Sequence, residues 1–116
     1  MDEHFPTEVV ASRKLVGPNG PITVSIGRPR PFDETDPEGD HHCPVRIEGL
    51  EEDPVDLSVA GVDSLQALIL ALGAIGDRVG SARQDLSFLG RPELGLLASQ
   101  RVSPESTVLS VRMSTA

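Results

Sequence analysis

The sequence predicts an α+β domain: an antiparallel sheet of about four strands, in the element order β-β-β-β-α, covered by one long helix, with a C-terminal segment packing on it. Two observations carry this. Before residue 60, apolar and polar residues alternate in several short runs, the signature of half-buried strands. After Asp63, apolar residues recur at helical spacing instead. The connections before the helix are short or hairpin-like, except for residues 27–41. A parallel sheet needs crossovers of about a dozen residues or more, so antiparallel pairing is expected.

The first strand falls over residues 8–16, rich in valine and leucine. Gly17-Pro18-Asn19-Gly20-Pro21 follows and reads as a turn: glycine and asparagine tolerate positive φ, and proline presets its own. It is too short for a phosphate loop and lacks the Gly-Lys-Ser/Thr ending. In the second strand, Ile22, Val24 and Ile26 share one face and Thr23 and Ser25 the other. Residues 27–41 form the longest loop, where Pro29, Pro31 and Pro37 are expected to forbid regular pairing. In the third strand Cys43, Val45 and Ile47 alternate with Pro44, Arg46 and Glu48. Pro44 has no N–H and is expected at a strand start or an edge. After an acidic turn over 50–54, Val55, Leu57 and Val59 alternate with Asp56 and Ser58 in a fourth strand.

Asp63 is a good N-cap, and Gln66 three residues on completes a capping-box-like pattern. Capping accounts for both residues without a role in a site. The helix runs from Ser64 to about residue 80 through Leu65, Leu68 or Ile69, Leu72, Ile75 and Val79. Gly73 and Gly76 share a face, and close approach to the sheet is the expected return for their lower helix propensity. The expected core is Ile22, Val24, Ile26, Val45, Ile47, Val55, Leu57, Leu65, Leu68, Ile69, Leu72 and Ile75.

Between Ala67 and Ile75 the helix is apolar nearly all round, so its second face needs a cover. That cover is either the C-terminal segment, through Leu86, Phe88, Leu89, Leu94, Leu96 and Leu97, or another subunit. Pro92 suits the first turn of a short second helix. Residues 108–113 alternate Leu109, Val111 and Met113 with Ser110 and Arg112, as a fifth strand or a frayed tail. The 116 residues read as one domain, with a core over 8–80 and an extension over 81–116.

Ile26-Gly27-Arg28-Pro29, Cys43-Pro44-Val45-Arg46-Ile47-Glu48-Gly49 and the helix start Gly61-Val62-Asp63-Ser64-Leu65-Gln66-Ala67-Leu68 resemble a family of small uncharacterised bacterial proteins, a domain of unknown function. The resemblance covers residues 11–80 and leaves the later segment outside. It implies no activity and no catalytic residue.

Several function classes are disfavoured. The uninterrupted apolar and glycine run is Ala67 to Gly76, ten residues, against about 20 for a membrane span. The acidic N-terminus lacks an apolar h-region, which argues against a secretory signal. One cysteine cannot form an internal disulfide, and a reducing cytoplasm is the expected setting. The net charge is −8, and it is unevenly placed. Residues 33–56 hold ten acids and one base, a net −9, and the remainder is +1. Such a field repels phosphate backbones and attracts basic partners. There is no Trp or Tyr to stack bases. Neither nucleic acid nor membrane is expected as a partner, and no cofactor is.

Two readings of function remain. One is a non-enzymatic interaction domain that meets a basic protein through its acidic stretch, with Asp33, Glu34, Asp36, Glu38 and Asp40 as binding residues. An inhibitor that neutralises a cationic toxin is one version, and a homodimer through the apolar helix face is a further partner. The 33–40 loop lacks the ligand spacing of a calcium loop. The other reading is a small metal- or thiol-dependent enzyme centred on His41, His42 and Cys43. In a strand, His41 and Cys43 point inward with Val45 while His42 points out, which is half of a four-ligand zinc site. His4 and the loop carboxylates could complete it, but no second ligand pair appears with the usual spacing. The place of Cys43 on an alternating apolar face favours an inert core thiol over a nucleophile.

Overall fold

A computed structural model describes residues 8–113. The elements are β1 (Val9–Gly17), β2 (Gly20–Gly27), β3 (Arg30–Pro31), β4 (His41–Glu48), β5 (Val55–Gly61), α1 (Ser64–Ser81), β6 (Leu97–Ser103) and β7 (Ser106–Val111). Every ladder is antiparallel. β1 to β5 form one sheet, and β6 and β7 form a separate hairpin.

β4 is the central strand. β5 pairs with it from His41 to Ile47, so β2 and β3 share its other edge. β2 takes residues 45–48 of β4, and β3 takes His41 and His42. Pro44 sits mid-strand, contrary to expectation, in the gap between the two. No ladder bond is lost there on that side, which is why a proline is tolerated. The 27–41 segment likewise contains a strand. Pro31 pairs with His41, because β3 is a two-residue stub whose other edge is free of any partner strand among the described residues.

Alternation sets the faces. Leu15, Ile22, Val24, Ile26, Cys43, Val45, Ile47 and Val55 are buried on one face, against Ala67, Ala71, Ile75 and Val79 of α1. Thr23, Ser25, Arg46 and Ser58 lie on the opposite, polar face. The Asp63 carboxylate accepts the Gln66 N–H at 2.8 Å, so the expected cap forms. The Gln66 side chain accepts the Val62 N–H at 2.8 Å, one residue upstream of a capping box's usual donor.

The second face of α1 is covered by the chain's own C-terminal segment. Gly73 and Gly76 make their close approach there, not at the sheet: a Cβ on Gly76 would overlap the Leu97 carbonyl, and one on Gly73 would lie 3.3 Å from Leu109. β6 and β7 pack closely at these glycines, but beside the first turns of α1 Thr107 and Leu109 of β7 leave an open groove lined by Leu65, Ile69 and Leu70. Leu65 and Ile69, expected in the core, are therefore 62% and 40% exposed. Leu57, Leu68 and Leu72 are half-buried against it.

Residues 82–96 contain no second helix. Gly90 and Gly95 take positive φ on either side of Pro92 and break any helical run. Leu86, Phe88, Leu94 and Leu96 do pack on the core. Leu89 does not, because Phe88 and Arg91 close a tight turn that presents it at the tip, 82% exposed and with φ 53°. Arg13 ties this segment down: its guanidinium lies 4.3 Å from the centre of the Phe88 ring and donates to the Leu94 and Gly95 carbonyls at 3.0 and 2.7 Å. Beneath the segment, Val24, Ile26, Leu72, Ile75 and Leu96 line an apolar cavity of about 150 Å³.

Candidate functional site

The acidic loop is the tip of the β3–β4 hairpin. Phe32 donates its N–H to the Asp40 carbonyl at 3.0 Å and closes the loop. Inside it, the Asp33 carboxylate accepts the Thr35 N–H at 2.9 Å and the Thr35 hydroxyl at 2.6 Å. Those bonds favour the ionised form, the hydroxyl foremost, and hold Asp33 below the ordinary carboxylate range. Asp36 N–H donates to Asp33 and Gly39 N–H to Asp36, giving two linked turns. Asp33, Glu34, Asp36, Glu38 and Asp40 all stay exposed. Among the described residues, no ion pair reaches any of them. A short closed loop of uncompensated carboxylates is the result.

An aromatic residue sits at its base. Phe32 is 59% exposed and stacks on His42 with ring centres 5.0 Å apart. The Ser58 hydroxyl is hydrogen-bonded to His42 Nδ1 at 3.2 Å. His42 points out and His41 in, as strand alternation requires. His41 is buried and donates from Nδ1 to the Gly39 carbonyl at 2.7 Å; a carbonyl only accepts, so this nitrogen carries the proton. Cys43 is buried, and its thiol donates to the Gly27 carbonyl at 3.5 Å. Burial pushes the thiol's pKa up and keeps it neutral.

Among the described residues, no three His, Cys, Asp or Glu side chains are placed to share a metal ion. His41 and His42 lie on opposite faces of β4, and His4 lies outside the described residues. His41, His42 and Cys43 tie the first residues of β4 to the loop, to β5 and to β2.

The remaining acids are elsewhere. The β4–β5 turn sits at the far end of β4, about 24 Å away at the rise of a strand. Its Glu51 pairs with Arg78 at 2.9 Å, while Glu52 and Asp53 are exposed. On the polar face, Arg46 holds Asp56 through two bonds of 2.7 and 2.8 Å, which keep Asp56 below its ordinary pKa. The −9 segment is thus two separate acidic ends joined by a strand, and not one patch. Composition exposed the charge but not Phe32 or Arg13. Arg13 had a readable signal, since it shares the inward parity of Leu15 in β1.

Among the described residues, no helix is long and apolar enough to cross a membrane. No curated protein and no solved structure matches the chain. One family model does match, described as a domain of unknown function (DUF6968), over residues 11–97. The match runs past the residue-80 limit expected from sequence and takes in the segment that Arg13 secures, up to the start of β6. With most of the folded chain inside that match, the protein belongs to the DUF6968 family.

Proposed function

We propose that this is a non-catalytic protein-binding domain of the bacterial cytoplasm, with the acidic 33–40 loop recognising a basic protein. The observation that supports it most is the set of five exposed carboxylates with no cation against them among the described residues, beside an exposed phenylalanine. Carboxylates supply steering, and an aromatic side chain supplies the apolar anchor that such interfaces favour. Neutralisation of a cationic toxin is one form of this activity. A second copy seated on the exposed Leu65, Ile69 and Leu70 is a further contact, favoured by their exposure. The enzyme reading has less support, since the one thiol is buried and neutral.

The test is capture of a basic partner at low salt, then association and dissociation rates against ionic strength. Changing Asp33, Glu34, Asp36 and Glu38 to their amides is expected to slow association more than it speeds dissociation. Rates that are equal and independent of salt would leave the loop as a solubility feature.

A further inference from the structure

The sheet has two edges, and they are finished differently. β1 carries a bulge between Val9 and Ala11, and its other end is closed by reciprocal 2.9 Å bonds between Val16 and Ser87. Lys14 adds an exposed charge between them. Bulges, charges and covering loops are the usual guards against unwanted strand pairing. β5 is less guarded: its one charge, Asp56, is bonded to Arg46 on the polar face of the sheet. Its seven residues include no proline, no lysine and no bulge, and its outer edge bonds to no backbone among the described residues.

We propose that this open β5 edge binds an extended, basic segment of the partner protein as an added strand. The proposal rests on the reading of a basic partner and specifies how that partner is held. Main-chain bonds along β5 supply affinity, and alternate side chains supply selectivity. Leu57 and Val59 are half-buried under α1 and offer the apolar side of that selection.

Charge decides the occupant. Glu52 and Asp53 precede β5 at one end, and Asp63 follows it at the other. Asp40 flanks that second end, because His41 pairs with Gly61. Carboxylates thus bracket an edge about 20 Å long, which suits a strand with cations just beyond each end of a seven-residue run. A second copy fits poorly. Pairing two β5 edges about Ser58, so that Leu57 meets Val59, sets Asp53 of each copy against Asp63 of the other.

The probe is a short peptide of alternating valine and threonine with two lysines at each end, titrated into the isotopically labelled full chain. Alternate β5 amides, those not bonded to β4, are expected to exchange more slowly. Affinity is expected to fall about tenfold or more when the peptide is N-methylated at alternate amides, and again when its lysines become glutamates. Equal binding of the N-methylated peptide, with shifts confined to 33–40, overturns strand addition and leaves the acidic-loop reading standing. Shifts in neither region overturn both. Protected β5 amides and a doubled mass without peptide show a second copy on the edge, which also overturns the proposal.

Discussion

Helix α1 is packed on two sides, and the two contacts differ in kind. Toward the sheet it presents Ala67, Ala71, Ile75 and Val79, all nearly inaccessible and interdigitated with β4 and β5. Toward the β6–β7 hairpin it presents Gly73 and Gly76, so the helix meets the Leu97 backbone at Gly76 and the Leu109 side chain at Gly73. A cavity remains beside that second contact. One polar bond crosses the contact, Ser99 to Asp77 at 2.8 Å, and Arg13 of β1 anchors the chain just before β6 through the Leu94 and Gly95 carbonyls. Apolar area removed from water sets most of the stability of a contact, so the sheet side governs global unfolding and the hairpin side opens locally.

The largest expected effect tests the first half of this contrast. Ile75→Ala removes a side chain that is 2% exposed and should cost about 2–5 kcal/mol, read as a shift in denaturant midpoint. Gly76→Ala attacks the other side. Its Cβ must push the Leu97 carbonyl away, costing about 1–3 kcal/mol. Amide exchange should then quicken over β6 and β7 while β4 stays protected; uniform acceleration would show that the two contacts unfold together. Arg13→Gln is milder, about 1 kcal/mol for the lost charged bonds and ring contact, and should loosen 94–97 first in the same exchange experiment.

Gly73→Ala carries the opposite sign. The nearest atom to its Cβ is the flexible tip of Leu109, so the helix propensity gain of up to about 1 kcal/mol is largely kept and the melting temperature should rise. The smallest effect lies away from α1. Asp56 has a folded pKa below its unfolded one because of Arg46, so its contribution is present above about pH 4 and is lost as pH falls through the folded value. Asp56 is half-exposed, and solvent screens most of that contribution. Asp56→Asn should leave the denaturant midpoint at pH 7 nearly unchanged and flatten its decline below pH 4.

The same contrast explains what could be read from the sequence. β2, β4, β5 and α1 have side-chain periods that repeat several times, and all four fall where those periods place them. The need for a second cover on α1 was equally legible, because a helix apolar all round must be buried all round. How closely that cover packs was not: β7 leaves an open groove along the first turns, and so Leu65 and Ile69 stay exposed. β6 gave no warning, since Leu97-Ala98-Ser99-Gln100-Arg101 carries almost no apolar alternation and is held through its partner strand. The acidic charge of the candidate site was plain in composition. Its division between two ends of β4 follows from topology, and the Phe32–His42 stack follows from the short β3 pairing that three prolines concealed.

The covering of α1 by a later segment has a consequence during synthesis. Every residue needed for the sheet and the helix is translated before the hairpin that shields Gly73 and Gly76. At about 5–20 residues per second, the cover for the apolar stripe of α1 follows it by on the order of seconds. Until the hairpin docks, the helix has its sheet-facing side to bury and its second side unshielded. Slowing translation after Ser81 would lengthen that window, and speeding it would close the fold sooner.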